Sequence, residues 1–401
     1  MNTVLLKKNE KSLITAFMYI FMATFALSGT MLGMLLPKLI DNYSLKLSQA
    51  GLITTFSGLG GFAALLFGGI IADKVNKTRL ITFTFILFGI LLCSLWMAPP
   101  FIVLLLIFLF IGMSSSMLNM VISAHIADLY PENRGRYLNL LHTFFGVGSF
   151  IGPLYPTVLY SLNRNWNSSY GYLGIFCLVL MALFIFTSGK VKTVKLNKAD
   201  NNDKTGQEKK YLVLLKNRNF ILLCIIGFIF MGHQSTFNAW LPTYMSEALN
   251  YTETFIGITM TLYWVGMVAG RLVCSYFSGK ISPKHFFVIG SMAGTIALIC
   301  GIIINVPFVW VISVTILGIS TGASYPLILV IACSLYPRNT GSATSLACIC
   351  MTLSGMLFPW LLGNVAEITS FGIAIWIPVI TLMTVFVLLR MNLLQIDENA
   401  A

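Results

Sequence analysis

Charge is what this sequence has least of. Asp, Glu, Lys and Arg make up 9% of its 401 residues, against about a quarter in an ordinary soluble domain. With 57% hydrophobic residues and a mean hydropathy of +0.86, a water-soluble globular fold is excluded. Carboxylates are rarer still. The 13 Asp and Glu residues lie at helix ends, in loops or in tails, so none stands mid-membrane, where an ionisable group would ordinarily mark a proton relay. No pair of Cys-x-x-Cys motifs occurs. The eight cysteines (Cys93, Cys177, Cys224, Cys274, Cys300, Cys333, Cys348 and Cys350) all fall inside apolar runs and read as small buried side chains. Cys348 and Cys350 would need further ligands to hold a metal. No P-loop lysine accompanies Gly58-Leu-Gly60-Gly61, and no nucleophile with its base, metal-binding carboxylate cluster, filter loop or charged pore ring is present. An enzyme or a channel is therefore disfavoured, and no cofactor or metal is expected. The net charge of +12 does not point to nucleic acid, because the basic residues sit in the gaps between apolar runs instead of on one folded polar surface.

Those apolar runs dominate the chain. Membrane-spanning helices need roughly 20 apolar residues each. Runs between charged or turn-like breaks predict twelve helices, at 13–37, 48–72, 79–97, 101–127, 137–162, 169–188, 219–246, 254–278, 285–304, 307–334, 342–366 and 371–390. The first run, behind Lys7, Lys8 and Lys11, is too long for a signal peptide. The expected fold class is all-α integral membrane. Orientation follows the excess of Lys and Arg in cytoplasmic loops. With both termini in the cytoplasm, only Lys38, Lys46 and Arg164 of the 25 basic residues are external and Arg271 lies within a helix. This places the protein in the cytoplasmic membrane as a multi-pass chain in contact with the lipid bilayer. The one long polar stretch, Lys190 to Arg218, carries nine basic and three acidic residues and reads as a flexible cytoplasmic linker. It divides the chain into a six-helix bundle at 1–188, a linker at 189–218 and a second six-helix bundle at 219–401.

The two halves repeat. At an offset of 206 residues, Leu129-Tyr130-Pro131-Glu132-Asn133-Arg134-Gly135 falls on Leu335-Tyr336-Pro337-Arg338-Asn339-Thr340-Gly341, Pro153 on Pro359, Gly51 on Gly257, Gly60 on Gly266 and Lys74 on Lys280. At 205, Leu36-Pro37 falls on Leu241-Pro242. Parallel six-helix repeats place a substrate site between the halves of a transporter, near the midplane. The loop after the second run carries Gly69, Asp73, Lys74, Asn76 and Arg79, and the corner after the fourth carries Asp128, Pro131, Arg134 and Gly135. On these motifs the chain resembles the major facilitator superfamily along its whole length. Asn76 stands where that pattern has a glycine, a change that asparagine's tolerance of left-handed turns makes acceptable. The resemblance implies alternating access, with Asp73, Lys74, Arg79, Asp128 and Arg134 in a charged gate that pairs and separates.

The second half is similar to the fucose and glucose permease branch. The motifs are Gly232-His-Gln-Ser-Thr-Phe-Asn238-Ala-Trp240-Leu-Pro-Thr-Tyr244, Trp264-Val-Gly-Met-Val-Ala-Gly270-Arg271 and Gly322-Ala-Ser-Tyr325-Pro326. Asn119 and Gln234 occupy positions where proton-coupled members of that branch carry glutamates, so the usual proton carrier is missing. Of the remaining histidines in the spans, His125 and His142 lie toward the cytoplasmic ends, while His233, near the centre of the seventh, is the candidate for coupling. Proton, sodium or no coupling ion all stay open. Neutral hydrogen-bonding groups are present at mid-membrane. Ser116, Asn119 and Ser123 share one helical face, and Gln234 and Asn238 are i, i+4 neighbours. Such amides, with Trp240, Trp264 or Tyr325 against a ring, suit a sugar. Arg271, a further gating candidate, either snorkels to the cytoplasmic interface or faces the cavity, where it would favour an anionic substrate and argue against a neutral sugar. The alternative function is proton-driven efflux of amphipathic drugs, favoured by Gly148-Ser-Phe-Ile-Gly152-Pro153 but lacking an arginine in the fourth span. A monomer is expected.

Overall fold

The computed structural model describes residues 8–188, 214, 216–277, 280–336 and 340–391; side chains are outside the description at 8–9, 68–74, 134–135, 188 and 340–342. The order of elements is α1 (Lys8–Tyr43), α2 (Leu47–Lys74), α3 (Lys77–Ser94), α4 (Phe101–Leu129), α5 (Arg134–Ser161), α6 (Trp166–Ser188), α7 (Arg218–Thr243), α8 (Glu253–Phe277), α9 (Pro283–Ile304), α10 (Pro307–Thr321), α11 (Ser324–Leu335), α12 (Thr340–Ile368), α13 (Phe371–Ala374) and α14 (Ile377–Arg390). The protein is all-α. Eleven spans among the described residues are long and apolar enough to cross a membrane, with α10–α11 forming one of them and α13–α14 another. The remaining long helix, α5, carries Arg136, Asn139, His142 and Thr143 along its first half, which lowers its hydropathy.

Helix ends follow local chemistry. Asn217 accepts hydrogen bonds from the Asn219 and Phe220 amides at the start of α7, and Ser282 accepts from His285 at the start of α9, which has Pro283 in its first turn. Asn163, Asn250 and Asn305 close helices with φ between 49° and 56°, the left-handed region that asparagine tolerates. Asn76 behaves otherwise. It has φ −60° and ψ 122°, and its side chain accepts a hydrogen bond from the Arg79 amide. It is the N-cap of α3, so asparagine suits the site as a cap and not as a left-handed turn residue.

The chain divides into two compact units, one comprising residues 1–44 and 52–200 and the other 45–51 and 201–401. The exchange between them falls at Asp200–Asn201, in the linker that lies outside the described residues. The first unit is centred on Phe17, Phe21, Phe85 and Phe184, whose rings meet at 4.1 to 5.5 Å from α1, α3 and α6. In the second, Phe230, Phe237, Tyr263 and Phe287 form the corresponding aromatic interior of α7, α8 and α9. The second unit also contains the first turns of α2. There Ser48 donates its amide hydrogen to Glu367 Oε2 at 3.1 Å, Lys46 Nζ stands 3.6 Å from Glu367 Oε1, and Gly51 packs on the Trp360 backbone.

Helix crossings inside the two units obey the sequence repeat. A Cβ on Gly60 would collide with the Leu109 carbonyl, and one on Gly266 with the Thr315 carbonyl. Gly112 meets the Ser57 carbonyl as Gly318 meets that of Tyr263. All four are paired by the offset of 206 residues, so the α2–α4 and α8–α10 crossings are one structural unit used twice. Small residues let the backbones approach this closely. A second crossing varies the same theme. Gly148 of α5 lies on the Ala23 carbonyl of α1, whereas Ser354 of α12, in the corresponding position, donates its hydroxyl to the Phe228 carbonyl of α7.

Candidate functional site

The polar cluster of the second unit grows from three helices. On α7, Asn238 Nδ2 donates back to the Gln234 carbonyl at 2.7 Å, and Gln234 Nε2 points at Met267 Sδ of α8 at 3.5 Å. Tyr263 of α8 is fully buried, and Asn238, Thr321 and Gln234 are the polar neighbours of its hydroxyl. Tyr263 Oη, Asn238 Oδ1 and Trp264 Nε1 are buried without a well-formed hydrogen bond among the described residues, the phenol standing close to the Asn238, Thr321 and Gln234 side chains. Leaving such groups unpaired costs about 1–3 kcal/mol each.

Arg271 lies two turns beyond Tyr263 on α8. Its Nε donates to the Gly322 carbonyl at 3.0 Å. Gly322 lies halfway along the span Pro307–Leu335, so this bond holds the guanidinium beside the middle of that span. The reason is Pro326. A proline has no N–H to return to the carbonyl four residues earlier, which leaves the Gly322 oxygen free at the break between α10 and α11. Arg271 takes it. Tyr325, in the first turn of α11, places its hydroxyl 3.4 Å from Cys348 Sγ of α12.

One sequence-based expectation is corrected here. Trp240 is fully buried, donates Nε1–H to the Pro359 carbonyl at 2.8 Å and packs edge-on against Phe371; it belongs to the α7–α12 contact and offers no face to a sugar ring. His233 is also fully buried, with Nδ1 2.9 Å from the Pro378 carbonyl, rings of Phe230 and Phe237 on either side, and Nε2 unpartnered. It faces α14, away from Gln234.

In the first unit Asn119 and Ser123 are half-buried on α4, while the Ser116 hydroxyl packs against Gly61 of α2. His125 is buried with both ring nitrogens unpartnered among the described residues, and His142 is exposed. Asp128 pairs with Lys77, the residue beside the motif, while Arg79 is exposed. The side chains of Asp73, Lys74 and Arg134 lie outside the described residues. A cavity of about 450 Å³ opens between the starts of α1 and α5, lined by Lys11, Thr15, Tyr19, Tyr130 and Tyr137 among others. Lys11 Nζ sits 4.1 Å over the Tyr130 ring, which stacks on Tyr137. Burial raises the Tyr130 phenol above its ordinary pKa, keeping it a hydrogen-bond donor.

Sequence reasoning missed Tyr263 and Thr321 as members of the second unit's cluster. The i, i+8 spacing of Tyr263 and Arg271 puts them on one side of α8 and could have found the tyrosine; nothing local marks Thr321.

Apolar spans in two repeated units, with amides, phenols and a guanidinium directed into the spans, define a polytopic membrane protein that moves a solute. The family model described as the Major Facilitator Superfamily matches residues 17–252 and 223–398, and the chain belongs to that superfamily of secondary transporters. Among curated relatives, it is 23% identical over 313 residues to the Protein TsgA homolog of Buchnera aphidicola subsp. Schizaphis graminum (strain Sg), covering 77% of this chain and 78% of the relative. It is 20% identical over 350 residues to the glucose/mannose transporter GlcP of Bacillus subtilis (strain 168), covering 86% of each. Among solved structures, a D-xylose-proton symporter superposes with a TM-score of 0.78 at 14% identity, covering 94% of this chain and 96% of that one. The fucose:proton symporter FucP of E. coli superposes at 0.63 and 17%, covering 96% and 99%.

Proposed function

We propose that this protein is a gradient-driven importer of a sugar or closely similar polyhydroxylated solute across the cytoplasmic membrane. The observation that carries the reading is the second unit's cluster of buried neutral donors and acceptors inside a span: Asn238 Oδ1, Tyr263 Oη and Trp264 Nε1, without a well-formed hydrogen bond among the described residues, beside Gln234. Hydroxyls both donate and accept, so one solute can satisfy amide, phenol and indole together. Trp264 and Tyr325 of the same unit complete the proposed contacts. The glucose/mannose transporter among the relatives and the sugar–proton symporters among the structural neighbours support the same class. Coupling to a proton is assigned to His233. Its Nε2 is unpartnered in closed packing, so reaching it from water requires that packing to open, which would tie protonation to a change of conformation. Of the proposed gate, Asp128 pairs with Lys77, which stands beside the motif, and Arg79 is exposed.

The test is uptake of labelled glucose and fucose into proteoliposomes with no gradient, an inward proton gradient and an inward sodium gradient. Accumulation above equilibrium under one gradient is expected and names the ion. No uptake of either sugar under all three would remove the neutral-sugar reading and raise efflux above it.

A further inference from the structure

We infer that the solute carries an anionic group, a carboxylate or a phosphate, and that Arg271 binds it. This deepens the proposed function and rests on it only for the sugar part of the solute. Arg271 is half-buried within a membrane span, and its one hydrogen bond within the protein is from Nε to the Gly322 carbonyl. Its electrostatic neighbours are the phenols Tyr263 and Tyr325, and the ion pairs among the described residues lie elsewhere, at Lys46–Glu367 and Lys77–Asp128. A cation inside a span is expensive and is ordinarily paired. Among the described residues no carboxylate is paired with it.

The carbonyl it binds is that of Gly322, the C-cap of α10, where a cation suits the negative end of the helix. The Nε–Gly322 bond also fixes the orientation of the planar group while leaving the two terminal nitrogens to a ligand, the fork geometry that matches carboxylate or phosphate. Beside it stand Tyr263 and Tyr325, and Tyr263 in turn meets Gln234 and Asn238; all four hydrogen-bond hydroxyls and carry no opposing charge. Together they fit a sugar acid better than a neutral sugar.

The experiment compares glucuronate with glucuronamide, which has the same ring and no charge, as competitors of labelled glucose and as labelled substrates in proteoliposomes holding the full chain. Succinate serves as an anion with no sugar ring. Glucuronate is expected to act at concentrations about tenfold or more below glucuronamide, the scale of one charge-assisted hydrogen bond. Arg271→Gln should erase the difference and Arg271→Lys restore part of it. The wild-type comparison stands even where a variant fails to fold, which gel filtration in detergent reports. Uptake of glucose or glucuronamide equal to that of glucuronate, and unchanged in Arg271→Gln, would overturn the anion inference and leave the sugar reading intact. Arg271-dependent uptake of succinate with no sugar of either kind would do the reverse. Failure of folded protein to move any of the probes would overturn both.

Discussion

Amide side chains inside a membrane span need partners, and the partner decides what a substitution does. For Gln234 and Asn119, half-buried on α7 and α4, the proposed partner is the solute. Replacing either with Ala should weaken half-saturation about 5- to 10-fold, the worth of one hydrogen bond, without loss of folded protein in the membrane. Unchanged half-saturation in both variants would remove them from the site. His233 gives a different expectation, because coupling and packing separate in a single variant. With His233→Gln, solute exchange at equal pH should persist while pH-driven accumulation disappears. Intact accumulation would assign the ring to the contact with Pro378 alone. At this scale the sequence was partly legible. Residue type and helical spacing located Gln234, Asn238 and Arg271, yet they could not tell that Trp240 uses its N–H on Pro359 or that Arg271 turns toward Gly322. Both outcomes depend on which carbonyl is free on a neighbouring helix.

For the helices, the decisive residues are glycines at crossings. Gly60 and Gly266 meet backbone carbonyls of α4 and α10 in the same way, so a side chain at either site must push two helices apart. Gly60→Val and Gly266→Val should each destabilise the detergent-solubilised protein by about 1–3 kcal/mol, lowering the midpoint of thermal aggregation to a similar degree. A large effect at one site and none at the other would show that the repeated crossing is not equally used. Helix positions were read from apolar runs with errors of a few residues, and the longest misses were at the ends. α1 continues to Tyr43 beyond Pro37, and α6 begins at Trp166. A proline whose lost bond neighbouring groups can replace is tolerated inside a spanning helix, which the run-and-break reading does not anticipate. The division of the tenth span into α10 and α11 was equally hidden, although Pro326 is its visible cause.

For the whole molecule, the distribution of basic residues predicts topology. Both termini and the stretch 189–218 should face the cytoplasm. A green fluorescent protein fused after Ala401 should fluoresce, and alkaline phosphatase at the same place should be inactive, with the opposite result for a fusion in the loop holding Arg164. Phosphatase activity at the C-terminus would overturn that orientation. Membrane residence, helix number and the duplication were determined by the sequence itself, because burial in lipid imposes apolar runs of fixed length and a duplicated unit leaves its glycines and prolines at a constant offset. Only the tertiary structure decided which polar groups meet. It counted the start of α2 with the second unit, turned His233 toward α14, joined Tyr263 to the amides of α7 and brought Arg271 to the oxygen that Pro326 leaves free. Each of these depends on which faces of distant helices are pressed together, and no spacing along one helix encodes that.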